Sequence, residues 1–358
     1  MSPSETQPAV RPDELAVTAE RCAAQLLTGD PAGSAEEVAA RLLAIQAQNL
    51  QGARLTVRAR SAGLSVSDVD AAFTQRRSLI ITWLNRGTLH MVSPEDYWWL
   101  HPLTTPQLHT ANWRRLAQEG VPPQDAERGV AAVQAALATD GPLTRSALRE
   151  RVAAAGVRTE GQAMVHILFL ASIRGLIVRG PMAGKDQAFV LVQDWLGAPP
   201  PELSRSAALG ELARRYLSGH APAGDRDLAQ WAGIGLREAR LGLAECGAVQ
   251  RPDGLAELPA NPQPATAALP PPLLLGAFEP LLLGWASREP IVGPHPQIVT
   301  VNGLFRPFAL AEGRAVATWS VSGGQVRLAP FAPLDPGTQA ALAADANDVT
   351  RFLDAGGV

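Results

Sequence analysis

Apolar positions along the chain recur first at helical intervals and then in alternation, and this change of period repeats. Residues 15–27 carry apolar side chains at helical spacing, which predicts a helix. Ser34 with Glu37 three residues later has the form of a capping box and predicts a second helix to about residue 45. Ser67 caps a predicted third helix over residues 68–76. Residues 79–84 and 88–92 are rich in Ile, Thr, Trp and Leu, and Asn85-Arg86-Gly87 between them predicts a hairpin with glycine at the turn. The order then returns. Residues 125–138 read as a helix, Gly141-Pro142-Leu143-Thr144 opens another through residue 155, and Thr159 caps a third over 160–174, which Gly175 stops. Strands are expected at 176–179 and 187–192, around a turn at Pro181-Met182-Ala183-Gly184. A third pass gives helices over 209–217, 226–231 (capped by Asp225) and 236–245, then a weak strand pair at Val249 and 255–258.

Three helices followed by two short strands is the winged form of the helix-turn-helix unit. The expected fold is therefore α+β, with three tandem winged-helix units over residues 13–123, 124–200 and 201–268 after a frayed tail at 1–12. Asn261-Pro262-Gln263-Pro264 and Pro270-Pro271-Pro272 bracket a linker. Beyond it the period becomes two. Strands are expected at 298–301, 308–311, 315–319 and 325–328, with turns at Asn302-Gly303, Glu312-Gly313 and Gly323-Gly324 and a helix over 336–352. Residues 269–358 thus read as a small C-terminal antiparallel β-barrel closed by a helix.

Composition narrows the function classes. The chain has 358 residues, 46% of them hydrophobic and 18% charged, the balance of a globular protein. No run of 18 apolar residues is present, so no membrane span is expected, and the polar first ten residues lack the basic start and apolar core of a signal peptide. Cys22 and Cys246 form no CxxC pattern and the six histidines no metal-ligand spacing, so neither a disulfide framework nor a metal is expected, and a reducing cytoplasm is the simplest setting. Net charge is −3, which argues against a nonspecific nucleic-acid coat. Lys185 is the single lysine, and the remaining cations are arginines, suited to bidentate phosphate contact. A GC-rich genome gives the same bias.

Candidate chemistry centres on Gln46-Ala47-Gln48. On a helix, residues two apart face away from each other; on an extended segment they share a face. The two glutamines converge only if the helix ends near Ile45, and Asn49 and Gly52 make an end there plausible; otherwise they are a solvated helix terminus. The segment, with Trp83-Leu84-Asn85-Arg86-Gly87-Thr88-Leu89-His90-Met91-Val92, resembles the signature of the winged-helix DNA glycosylases, the AlkZ/YcaQ-like enzymes. The similarity extends to Arg215-Tyr216-Leu217, Asp227-Leu228-Ala229-Gln230-Trp231, Phe278-Glu279-Pro280 through Trp285, Phe305-Arg306-Pro307 and Gly313 through Trp319. It spans about residues 15–334. Glu279 stands where relatives often carry Asp, which keeps the position acidic.

The resemblance implies a cofactor-free, monofunctional glycosylase, a monomer acting on double-stranded DNA carrying alkylated purines, with the winged-helix units forming a concave channel. It implies Gln46 and Gln48 as the catalytic pair, since the family motif is Gln, an apolar residue, then Gln or Asp. Its substrates would be bulky N7- or N3-alkylpurines and interstrand crosslinks. Amides suit this chemistry. An N7-alkylated purine is already cationic and leaves readily, so the protein chiefly orients water and stabilises the sugar cation. Asn49, Arg54, Arg58, Arg86 and His90 are the candidate DNA contacts. For Arg54 and Arg58 the alternative is surface ion pairs, for Arg86 a turn residue pairing with Glu95 or Asp96, and for His90 a structural histidine. Glu279 and Arg288 are a candidate ion pair. Two other functions compete: a noncatalytic winged-helix transcriptional regulator, and a resistance protein that sequesters a drug.

Overall fold

A computed structural model describes residues 12–259 and 267–354; the tail at 1–11 and the Asn261-Pro262-Gln263-Pro264 segment lie outside it. The protein is α+β. Its helices are Pro12–Ala24, Ala35–Leu42, Leu50–Arg58, Val66–Thr74, Pro94–Thr104, Leu108–Gln118, Pro123–Asp140, Arg145–Ala154, Ala163–Ile173, Arg205–His220, Asp225–Ala232, Leu236–Glu245 and Pro336–Asp354, with three of five residues or fewer besides. Local chemistry sets several of their ends. Ser34 Oγ accepts from the Glu37 amide, while Glu37 reaches back to Gly33 rather than to Ser34 itself. Ser65, not Ser67, caps the helix Val66–Thr74, in a reciprocal box with Asp68. Thr159 caps nothing, because its helix begins at Ala163 behind Gln162.

The strands are β1 (Ile45–Gln46), β2 (Ile80–Leu84), β3 (Thr88–Val92), β4 (Ile177–Ala183), β5 (Asp186–Leu191), β6 (Val249–Gln250), β7 (Ala256–Glu257), β8 (Leu273–Leu275), β9 (Phe308–Ala311), β10 (Arg314–Ser322) and β11 (Gln325–Pro330). The first two hairpins merge into one five-stranded sheet ordered β1-β3-β2-β4-β5, joined where Ile81 pairs with Arg179. Pro181 and Met182 lie within β4, beside a bulge, and the turn itself is Gly184-Lys185. Both faces of this sheet are covered. Ile45, Ala47, Ile81, Trp83, Leu89, Met91 and Phe189 pack into one core. Leu43, Ala44, Ile80, Leu84, Val92 and Val178 pack into the other, with the helices Arg205–His220 and Asp225–Ala232.

The expected C-terminal barrel is corrected to an open sheet. Among the described residues its strands run β11-β10-β9-β8, with no pairing between the outer two. The β-branched run at 298–301 forms only one bridge, Val299 to Phe305. The fourth strand is instead Leu273–Leu275, directly after the triple proline.

Two close backbone approaches bracket the stretch from residue 42 to residue 52. A Cβ on Gly219 would stand 2.2 Å from the Arg41 carbonyl oxygen, and one on Gly52 would stand 2.2 Å from that of Ala277. Only glycine lets the helices Arg205–His220 and Leu50–Arg58 sit this close to their neighbours.

Candidate active site

The helix Ala35–Leu42 stops at a backbone kink. Leu43 has φ 64° and ψ −55°, and the Ala44 amide donates to Leu42 O at 2.8 Å. This is a γ-turn of the rarer, strained kind, costing about 1–3 kcal/mol and held here by the complete burial of Leu43. The chain leaves it extended. Ile45 pairs with Met91 and Gln46 with His90. The expectation that the helix ends before the glutamines therefore holds, and residues 46 and 48 follow extended backbone.

The two amides differ in their surroundings. Gln46 is 7% exposed and, among the described residues, its side chain makes no hydrogen bond. It lines a narrow crevice with Ala44, Arg86, His90, Trp231, Pro280 and Leu283. Gln48 is exposed, and its Oε1 accepts from the Leu89 amide at 3.0 Å while Ala47 N donates to Leu89 O at 2.7 Å. The Gln48 carbonyl thus extends the β1–β3 ladder by one rung, which directs its NH₂ group to outside partners.

His90 is paired in register with Gln46 on one side and Thr82 on the other, so the three polar side chains form a row across β1, β3 and β2. His90 Nδ1 lies 2.9 Å from Thr88 O; because a carbonyl only accepts, Nδ1 carries the hydrogen and Nε2 a lone pair. Burial pushes its pKa down to about 4. The Thr82 and Thr88 hydroxyls and both polar atoms of the Asn85 side chain are buried without partners. These orphaned atoms lie on β2, β3 and the turn between them, the strands that carry His90 and Arg86 to the crevice, and leave this hairpin short of hydrogen bonds.

Arg86, at the β2–β3 turn, is exposed, and no carboxylate among the described residues pairs with it. Asp96 is bound by Arg215 instead. Desolvation and then the Arg288 charge lower the pKa of Arg86. Arg288 stacks over Phe305 at 5.0 Å and does not meet Glu279, which corrects the expected ion pair. Glu279 is fully buried against Arg60, which also donates to Gln25 Oε1 at 2.8 Å and Thr56 O at 3.2 Å. Glu279 caps the short helix Pro280–Leu283, and so sets one wall of the crevice.

The other candidates are engaged within the chain. Asn49 Oδ1 caps the helix Leu50–Arg58 by accepting from the Gly52 amide at 2.7 Å; its side chain is exposed. Arg54 forms a two-pronged pair with Asp70. Arg58 is 4% exposed and binds Asp345, Asp348 and the Leu274 carbonyl, fixing the C-terminal helix to the helix after the motif. Arg54 and Arg58, expected as DNA contacts, thus both have their guanidiniums committed to carboxylates within the chain. Trp98 and Trp99 pack against the second core, in agreement with a packing role. Among the described residues no three His, Cys, Asp or Glu side chains gather to hold a metal ion.

Three buried histidines give an acid-stability prediction. Burial pushes His90 and His101 down to about 4 and His220 to about 3. Unfolded histidines titrate near ~6.5, so below that pH the unfolded chain binds more protons. The stability from keeping them neutral is complete above about pH 6.5 and drains away as pH falls toward 4. Denaturant midpoints measured from pH 7.5 to 4.5 should fall steadily; a flat profile would contradict the burial of these rings.

A sequence profile described as DNA glycosylase AlkZ-like matches residues 39–352, which includes the glutamine segment and most of the chain. The protein belongs to the AlkZ-like DNA glycosylase family. It is thus an enzyme, a DNA glycosylase. The chain is 26% identical over 325 residues to an interstrand DNA cross-link repair glycosylase of Streptomyces sahachiroi, covering 83% of this chain and 85% of that one. Its fold matches the solved structure of the Streptomyces sahachiroi DNA glycosylase AlkZ with a TM-score of 0.76 at 24% identity, over 94% and 96% of the two chains. Among the described residues no helix is long and apolar enough to cross a membrane.

Proposed function

We propose that this AlkZ-like glycosylase hydrolyses the N-glycosidic bond of bulky N7- or N3-alkylated purines in duplex DNA, interstrand crosslinks included, with Gln46 and Gln48 as the catalytic pair. It acts as a monofunctional, cofactor-free monomer in the cytoplasm. The helices and hairpins are read as three winged-helix units, with divisions near residues 123, 200 and 268, around a channel for the duplex. The observation that carries the reading is the unpartnered amide of Gln46 in a crevice lined by a neutral imidazole and an unpaired arginine. Oε1 of Gln46 accepts a hydrogen bond from the attacking water. The NH₂ of Gln48, freed by the ladder bond of its carbonyl, donates to the sugar–phosphate beside the lesion. Among the described residues no carboxylate lines the crevice, so the departing base takes the bond electrons to neutralise its own ring charge. An open channel outside the narrow crevice suits a lesion that is large or tied to the opposite strand and so cannot swing out freely.

The test is base release from duplexes bearing N7-guanine adducts of graded size and a crosslink. The expected result is free alkylated base and an abasic strand. Duplex binding with no base released from any adduct would sink the reading.

Arg86 and Asn49 supply backbone contacts. Arg86→Gln should lower the slope of log K against log salt by about one unit, as expected for one lost phosphate contact. Arg58→Gln should leave that slope intact and lower the denaturation midpoint instead. Equal salt slopes for wild type and Arg86→Gln would remove Arg86 from the interface.

A further inference from the structure

We propose that His90 is a third catalytic residue, whose Nε2 accepts the proton of the water that Gln46 holds. This rests on the glycosylase reading above and extends it from two residues to three. Three observations converge. His90 stands opposite Gln46 in the β1–β3 register and lines the same crevice. Its Nδ1–H is fixed on Thr88 O, so the tautomer leaves the Nε2 lone pair as the available acceptor. The neighbouring Thr82 hydroxyl is buried without a partner, so this row of side chains is short of hydrogen bonds that a water can supply.

The step balances without another reactant. The C1′–N bond breaks and its electron pair enters the cationic alkylpurine, which leaves neutral. Water oxygen bonds to the sugar cation at C1′, and one water proton passes to His90 Nε2. The imidazolium returns that proton to solvent when the product leaves. A weak base suffices, since water adding to an oxocarbenium ion becomes a far stronger acid than imidazolium. The groups facing His90 are Gln46, Thr82 and Thr88, all uncharged, and Arg86; burial first, and then the Arg86 charge, favours the neutral ring between turnovers. A histidine serving only as a phosphate or lesion contact would instead show itself in affinity.

The experiment is single-turnover excision from a duplex carrying one N7-alkylguanine, with duplex affinity measured in parallel. His90→Ala should slow release roughly 100-fold, the low end for lost general-base help, with affinity unchanged. His90→Gln keeps an acceptor oxygen at similar reach and similar volume, and should lose about tenfold, since it orients water without taking the proton. Imidazole in the buffer should restore part of the His90→Ala rate, which a structural role would not permit. Wild-type rates in both variants, or a rate loss matched by an equal loss of affinity, would overturn the proposal. If wild type itself released no base, the glycosylase reading would fall instead.

Discussion

Replacing both Gln46 and Gln48 with alanine should reduce base release by about 10³-fold or more while leaving duplex affinity close to wild type. Removing one preorganised hydrogen-bonding group from an active site typically costs ~10²–10³ in rate, and here two are removed. Affinity should survive because phosphate contacts dominate it. The single variants should differ. Gln46→Ala removes an amide that holds no internal bond, so its effect is on chemistry alone. Gln48→Ala also removes the bond to the Leu89 amide at 3.0 Å and loosens β1 from β3. Gln48→Asp should keep the rung to the Leu89 amide, because a carboxylate can accept it, yet slow release, because it has no NH₂ to donate to the sugar–phosphate. Circular dichroism and thermal melts establish that the double variant is folded. Undiminished excision by a folded double variant would end the assignment.

The largest expected effect on stability lies at Arg60 and Glu279, where both side chains are 0% exposed. Removing either partner strands a charge in a dry interior and should cost about 3–5 kcal/mol. Against a typical total of ~5–15 kcal/mol, that is a large share. Glu279→Ala and Arg60→Ala should therefore lower the urea midpoint sharply. A paired Arg60→Met, Glu279→Leu variant should recover most of the loss, because two apolar groups of similar volume leave no unpaired charge. Glu279→Asp should be the mildest single change. The double variant also asks whether the pair matters beyond stability. Glu279 caps the helix that provides Pro280 and Leu283 to the crevice, so a stable double variant with slower excision would show that the cap holds the crevice in shape. Single variants as stable as wild type would mean the pair is not buried as described.

Much of this was legible in the sequence because it is local. The hairpin strand at 88–92 needed only its β-rich run and Gly87, and its bounds agree with the observed β3. The end of the helix before Gln46 was signalled by the requirement that the glutamines share a face. What escaped was nonlocal. Arg58 sits four residues from Arg54, yet its partners Asp345 and Asp348 lie 287 and 290 positions away. The run at 298–301 has ideal strand chemistry but finds only a single bridge to Phe305, whereas Leu273–Leu275 becomes β8 by pairing with β9 and packing beside the C-terminal helix. Period shows which segments could be strands, and only tertiary contacts decide which find a partner. Arg60 with Glu279 carried no signal at all, because a buried ion pair depends on two segments 219 positions apart.

The kink at Leu43 has a consequence for how this enzyme can fail. Coiling one more turn is the ordinary choice for a chain that has just completed residues 35–42, and the burial of a single leucine, together with the pairing of β1 to β3, opposes it. Damage to the packing under that leucine would let the coil run on, swinging residues 46 and 48 to opposite sides of a cylinder. Such a protein would express, melt cooperatively and hold a duplex, yet be chemically silent. Variants in this neighbourhood are therefore best judged by turnover rather than by yield or melting temperature.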